Sequence, residues 1–110
     1  MRTVLVLNND QMGHGDARLG RKILATCLRK AVRLSGLEAV VLYNAGVKLA
    51  ARDSALATEL HQFQENGIDV LPCGTCVEHY GLQGQLVVDR VSNMDEILTT
   101  LDGAEIVITL

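Results

Sequence analysis

Two thiols three positions apart, Cys73 and Cys76, stand in the stretch Pro72-Cys73-Gly74-Thr75-Cys76, where the nucleophilic side chains of this chain are concentrated. A thiolate is a nucleophile, a redox centre and a metal ligand, so a pair this close can exchange sulfur, close a disulfide or share an ion. The pair follows an apolar run and leads into a short helical pattern. Thiols at a helix start meet exposed backbone N–H groups, which favour the thiolate. Cys27 lies inside an apolar helical stripe instead and reads as a core residue.

Three chemistries compete for the pair. A thioredoxin-type dithiol is expected early in a chain, after an aromatic residue and opposite a proline from another loop; here Pro72 is the sole proline and tryptophan is absent. Zinc is the second possibility, since Cys73, Cys76 and His79 have ligand-like spacing and His14 can serve from a neighbouring loop, although one CxxC is half of the usual set. Sulfur handling is the third. The glycines of Gly13-His14-Gly15-Asp16-Ala17-Arg18-Leu19-Gly20 match neither a dinucleotide fingerprint nor a Walker loop and fit an exposed turn. His61 reads as a boundary residue. Nothing resembles a Ser-His-Asp triad or a glycosidase carboxylate pair.

The elements that must hold the thiols follow from periodicity. Thr3-Val4-Leu5-Val6-Leu7 is a β-branched apolar run closed by Asn8-Asn9-Asp10, the pattern of a strand buried on both faces. From Asp16, a capping residue type, Leu19, Ile23, Cys27, Leu28, Ala31 and Val32 recur at helical spacing to about Leu34, where Ser35-Gly36 stops the helix. Ala39 to Tyr43 is a second strand, ending at Asn44-Ala45-Gly46. Asp53 or Ser54 is expected to cap a helix carrying Leu56, Leu60 and Phe63, closed by Asn66-Gly67. Ile68 to Leu71 is a third strand, with a short helix from near Cys76 to Gly81. Leu86-Val87-Val88 with Val91 suggests a fourth, weaker strand. Asn93 and Glu96 then form a capping pair for a helix with Met94, Ile97, Leu98 and Leu101 on one face, and Glu105 to Leu110 is the fifth strand.

Strands alternating with helices imply right-handed crossovers. The expected fold is therefore α/β, a three-layer α/β/α sandwich with a mainly parallel five-stranded sheet, as one domain over residues 1–110. Ligands of such sheets bind beyond the carboxyl ends of the strands. That edge should gather Asn8, Asp10, Gly13 and His14 from the first loop, Asn44 and Gly46 from the second, and Cys73, Gly74, Thr75 and Cys76 from the third.

Composition narrows the partners. At 110 residues, 48% hydrophobic and 21% charged, the chain has what one core requires. Its formal charge of -3 is unlike a duplex-binding domain, and Phe63, Tyr43 and Tyr80 are too few aromatics for a base-stacking platform, so nucleic acid is not an expected partner. No apolar run is long enough for a membrane span and the first residues lack a signal-peptide layout, which with three cysteines, an odd number, predicts a cytoplasmic location. Charge is uneven. Arg18, Arg21, Lys22, Arg29, Lys30 and Arg33 share one helix, a solvated face or a dock for an acidic partner.

Four stretches in order carry a resemblance: Leu7-Asn8-Asn9-Asp10-Gln11-Met12-Gly13 with Leu19-Gly20; Leu42 to Leu49; Cys73-Gly74-Thr75-Cys76 with Tyr80-Gly81-Leu82; and Val91-Ser92-Asn93-Met94. Over essentially the whole chain the sequence resembles the DsrE-like superfamily, most of all the C-terminal DsrE-like domain of YedF-type proteins, described as sulfurtransferase-like and linked to selenium metabolism. The resemblance implies a sulfur carrier that holds a cysteine persulfide in a relay, in homo- or hetero-oligomers. It makes Cys73, eight residues before Gly81, the persulfide acceptor and Cys76 its resolving neighbour, with Asn8, Asp10 and Asn44 lining the site. For that role Cys73 is expected to be exposed at an open sheet edge. YedF-type proteins usually carry a TusA-like domain ahead of this one, whereas this chain starts at strand one. A stand-alone relative or an excised domain is expected, taking sulfur from a separate donor such as a TusA-like carrier.

Overall fold

Thr3–Leu7 (β1) forms a strand in which all five residues are buried, as an apolar β-branched run at the middle of a sheet must be. The computed structural model describes residues 2–110. Leu37–Leu42 (β2) pairs with β1 in parallel, Val6 against Val41 and Leu7 against Leu42. Asp69–Pro72 (β3) adds to the far side of β2, and Ile106–Thr109 (β4) to the other side of β1, both parallel. The strand order is β3-β2-β1-β4.

The sheet therefore has four strands, not five. The segment expected as a fourth strand, Leu86 to Val91, makes only an antiparallel bridge from Leu86 to Ala51, and the next residue, Ser92, a parallel bridge to Cys73. Its apolar side chains are used in another way: Val88 is buried and Leu86 and Val87 pack on the core without pairing in the sheet.

Among the described residues four α-helices connect the strands. Ala17–Ala31 (α1) starts as expected, with the Asp16 carboxylate accepting from the Leu19 N–H at 2.8 Å, and stops three residues short of Leu34. Ala57–Glu65 (α2) begins later than Asp53 or Ser54; Ser54 Oγ instead accepts the N–H of Leu56, turning the chain into the helix. Gly74–His79 (α3) begins two residues before Cys76. Met94–Asp102 (α4) has Asn93 as its cap, accepting from the Glu96 N–H at 2.8 Å. Asn44–Ala50 forms a 3-10 helix immediately after β2.

Alternation along the strands divides the core in two. Leu5, Leu7, Val40, Leu42 and Val70 pack with Leu24 and Leu28 of α1 and Leu60 and Phe63 of α2. Val4, Val6, Ala39, Val41 and Leu71 pack with Ile97 of α4 and with Cys73. Cys27 is half-buried, not a core residue, and Leu19, Ile23, Met94 and Leu98 of the predicted stripes are exposed. Among the described residues no helix is long and apolar enough to cross a membrane.

Candidate functional site

The carboxyl ends of β2 and β3 and the start of the 3-10 helix converge on the two cysteines. Cys73 continues β3: its N–H donates to Leu42 O at 2.8 Å, and its carbonyl accepts from Val77 N–H at 3.0 Å to open α3. On the other side Ser92 N–H donates to Pro72 O at 2.7 Å and Gly74 N–H to Ser92 O at 2.9 Å. A side chain at Gly74 would bring its Cβ to 3.0 Å from Ser92 O and 3.1 Å from Val91 Cγ1, so glycine is what lets the two segments close. Ser92 in turn is held by its hydroxyl, which donates to the Glu96 carboxylate.

Cys73 was expected to be exposed, and it is not. It is 3% exposed, its side chain packed among Val4, Val6, Ala39, Val41 and Ile97. A strand end opens an edge only where nothing covers it, and here the Ser92 segment and α4 do. Cys76, one turn further along α3, is half-buried and remains in reach of solvent.

The sulfur of Cys76 has a fixed partner. Asn44 adopts a left-handed backbone with φ 51°, a conformation asparagine tolerates better than most residues, and its N–H donates to Cys76 Sγ at 3.1 Å. Its side-chain oxygen accepts from Tyr80 Oη at 3.2 Å, and Lys48 Nζ lies 4.7 Å from the centroid of the Tyr80 ring. Gly46 presses this turn onto the sheet: a Cβ there would fall 2.0 Å from Leu7 O. Burial pushes the Cys76 thiol above its ordinary pKa, the Asn44 N–H pulls it down, and the hydrogen bond and charge of Cys73 push it up again.

The structure brings Cys73, Gly74, Cys76 and Asn44 together, with buried Gly46 beneath them. Asn8 and Asp10 are half-buried after β1, and Gly13, His14 and Thr75 are exposed; among the described residues none of these five is hydrogen-bonded to either cysteine. His79 packs edge-on to Tyr80. Among the described residues no three His, Cys, Asp or Glu side chains gather into a group that could hold a metal ion, so the set Cys73, Cys76, His79 and His14 is not assembled. Sequence reasoning missed Tyr80 and Lys48 as parts of the site. Their signal was the scarcity of aromatics, which makes a tyrosine one turn after a cysteine pair worth placing.

Matched as a whole, residues 1–110 fit the DsrE/DsrF-like family. The chain belongs to that family. Solved structures agree on the fold. The ychN protein from E. coli is 19% identical with a TM-score of 0.69, each chain covered in full. MTH1491 from Methanobacterium thermoautotrophicum, a protein of unknown function, is 22% identical with a TM-score of 0.71, covering 99% of this chain and 98% of its own. BT1422 from Bacteroides thetaiotaomicron, also of unknown function, is 22% identical with a TM-score of 0.65, covering 98% and 94%. No curated protein matches the sequence.

A cleft of about 580 Å³ is lined by Arg18, Arg21, Lys22, Arg29 and Lys48 against Asp10, Asp53 and Glu59 and includes neither cysteine. Lys48 belongs to both the cleft and the Tyr80 contact. A larger cleft, about 740 Å³, lies by Arg52, His61 and Arg90 and includes neither cysteine.

Proposed function

We propose that this chain is a sulfur carrier of sulfurtransferase type, holding a cysteine persulfide on the Cys73–Cys76 pair within a sulfur or selenium relay. One observation carries the reading: two thiols within one helical turn of each other at a strand end, one buried and one in reach of solvent with a backbone N–H on its sulfur. A buried persulfide is shielded from stray reductants, and an accessible partner lets sulfur in and out. Cys73 is the holding position. The YedF-type affiliation belongs to this proposal and rests on the four motifs. No cofactor is needed for it, and no observation favours zinc.

The donor is a separate protein with an acidic face, such as a TusA-like carrier, docking on α1. The cationic lining of the cleft beside Lys48 supports that surface. Copies of the chain associate through apolar residues that the fold leaves exposed, among them Met94, Leu98, Ile106 and Val107.

Incubation with a persulfide donor, followed by intact mass, tests the function. A gain of about 32 mass units per sulfur, removed by dithiothreitol, is expected. No gain, together with near-stoichiometric zinc in protein purified without chelator, would replace the carrier with a metal-binding module.

A further inference from the structure

We propose that Cys76 is the thiol that meets the sulfur donor, that the Asn44 N–H is the fixed partner of its sulfur, and that Cys73 receives the sulfur second. The inference rests on the reading of the pair as a persulfide site and reverses the order that the resemblance implies. Cys73 is 3% exposed beneath α4 and the Ser92 segment, so a donor sulfur has no line of attack on it in this structure. Cys76 is half-buried with its sulfur at the Asn44 amide, 3.1 Å away. An N–H donor favours charge on the sulfur it faces, and this one is held by a chain of contacts. Tyr80 Oη donates to Asn44 Oδ1 at 3.2 Å and Lys48 Nζ lies over the Tyr80 ring at 4.7 Å. Tyr80 and Lys48 act through Asn44 and are positioning residues.

The chemistry balances without an oxidant. The Cys76 thiolate attacks the outer sulfur of a donor persulfide, R–S–SH; the donor S–S bond breaks as the Cys76 Sγ–S bond forms. R–S⁻ leaves and takes up the proton that Cys76 released. In the second step the Cys73 thiolate attacks the same outer sulfur, the bond to Cys76 breaks, and Cys76 leaves as a thiolate that takes the proton lost by Cys73. The sulfur keeps its oxidation state throughout.

The test uses the full chain and glutathione persulfide as donor, quenched with iodoacetamide at early times and mapped by fragment ions. The first added sulfur is expected on Cys76 and the later one on Cys73. Cys76→Ser should slow uptake by about tenfold or more, whereas Cys73→Ala, which removes the second acceptor, should stop the added sulfur at Cys76. Early label on Cys73, or a Cys76→Ser variant with unchanged uptake, overturns the order. Uptake lost in both variants also overturns it, in favour of a site that needs both thiols at once. The mapping of the unsubstituted chain decides the question even where a variant does not fold. No uptake by the unsubstituted chain brings down the carrier function itself. Tyr80→Phe should raise the pH midpoint of Cys76 alkylation and slow it about threefold at neutral pH. Asn44→Gly keeps the N–H and the left-handed backbone but loses the tie to Tyr80, and it should shift the profile equally, with no further shift in the double variant. Profiles unmoved by both would remove the positioning role.

Discussion

Burial first, and the neighbouring Cys73, raise the Cys76 thiol against the pull of its Asn44 partner, and together they prevail. Its pKa is raised in the folded chain, so the thiol form is favoured by folding. The stabilisation that follows is fully present below the unfolded thiol value and is lost as pH rises through the folded one. Urea unfolding should therefore show stability falling as pH climbs above about 8.5, and Cys76→Ala should flatten that slope. Gly46 sets the same site from below. With its Cβ position 2.0 Å from Leu7 O, Gly46→Ala forces the 3-10 turn off the sheet, at a cost of about 3 kcal/mol in chemical denaturation. Because that turn carries the Asn44 N–H, slower Cys76 alkylation should accompany the loss.

At the scale of elements, the segment between α3 and α4 matters more than its lack of regular structure suggests. Ser92 is bonded to Pro72 and Gly74, on either side of Cys73, through two backbone hydrogen bonds, and Asn93 caps α4 one residue later. The Glu96 carboxylate does not turn back to the Asn93 N–H, as a reciprocal capping pair would; it accepts from Ser92 Oγ and pairs with Arg90 at 2.9 Å. The Ser92 hydrogen bond first, then Arg90, holds Glu96 below the ordinary carboxylate pKa. Its contribution is present above the unfolded carboxylate value and disappears as pH falls through the lower folded one. Acid titration of Glu96→Gln should show a smaller loss of stability below about pH 4.3 than the parent chain shows. Asn93→Ala should cost about 1 kcal/mol from the lost cap, measured by thermal or urea unfolding. If the clamp shields Cys73, the same variant should speed iodoacetamide labelling of Cys73.

Across the whole molecule, opposite kinds of surface are left uncovered. The five cations of α1, with Arg33 just beyond its end, project from a chain of formal charge -3, and Arg29 is paired with Glu59 of α2 at 3.6 Å with its side chain more than half exposed. Reversing Arg29, Lys30 and Arg33 to Glu should slow transfer from an acidic donor and weaken its salt dependence, with far-UV circular dichroism unchanged. β4 lies at the sheet edge with Ile106 and Val107 exposed, and Met94 and Leu98 of α4 are open as well. An apolar edge strand is a surface that chains cover by association. Light scattering of a Leu98→Lys, Val107→Lys variant should show a smaller assembly than the parent chain, and a monomeric parent at micromolar concentration would remove that reading.

The amino-acid sequence alone determined the parallel α/β plan, because runs such as Val4 to Leu7 and Val40 to Leu42 have no stable place except the middle of a covered sheet, and capping residues such as Asp16 and Asn93 act within a few residues of themselves. It marked the cysteine pair for the same reason, since spacing of three is a local property. Whether Leu86 to Val88 joined the sheet was not local: apolar residues report burial, and only the packed chain showed that theirs is spent on the helix side without strand pairing. The accessibility of the two thiols was equally a tertiary outcome. Cys73 is covered by Ser92, nineteen positions onward, and Cys76 is matched to the N–H of Asn44, thirty-two positions back. Contacts between segments so far apart leave no periodicity in the sequence, because they are fixed by how the helices and strands close on one another.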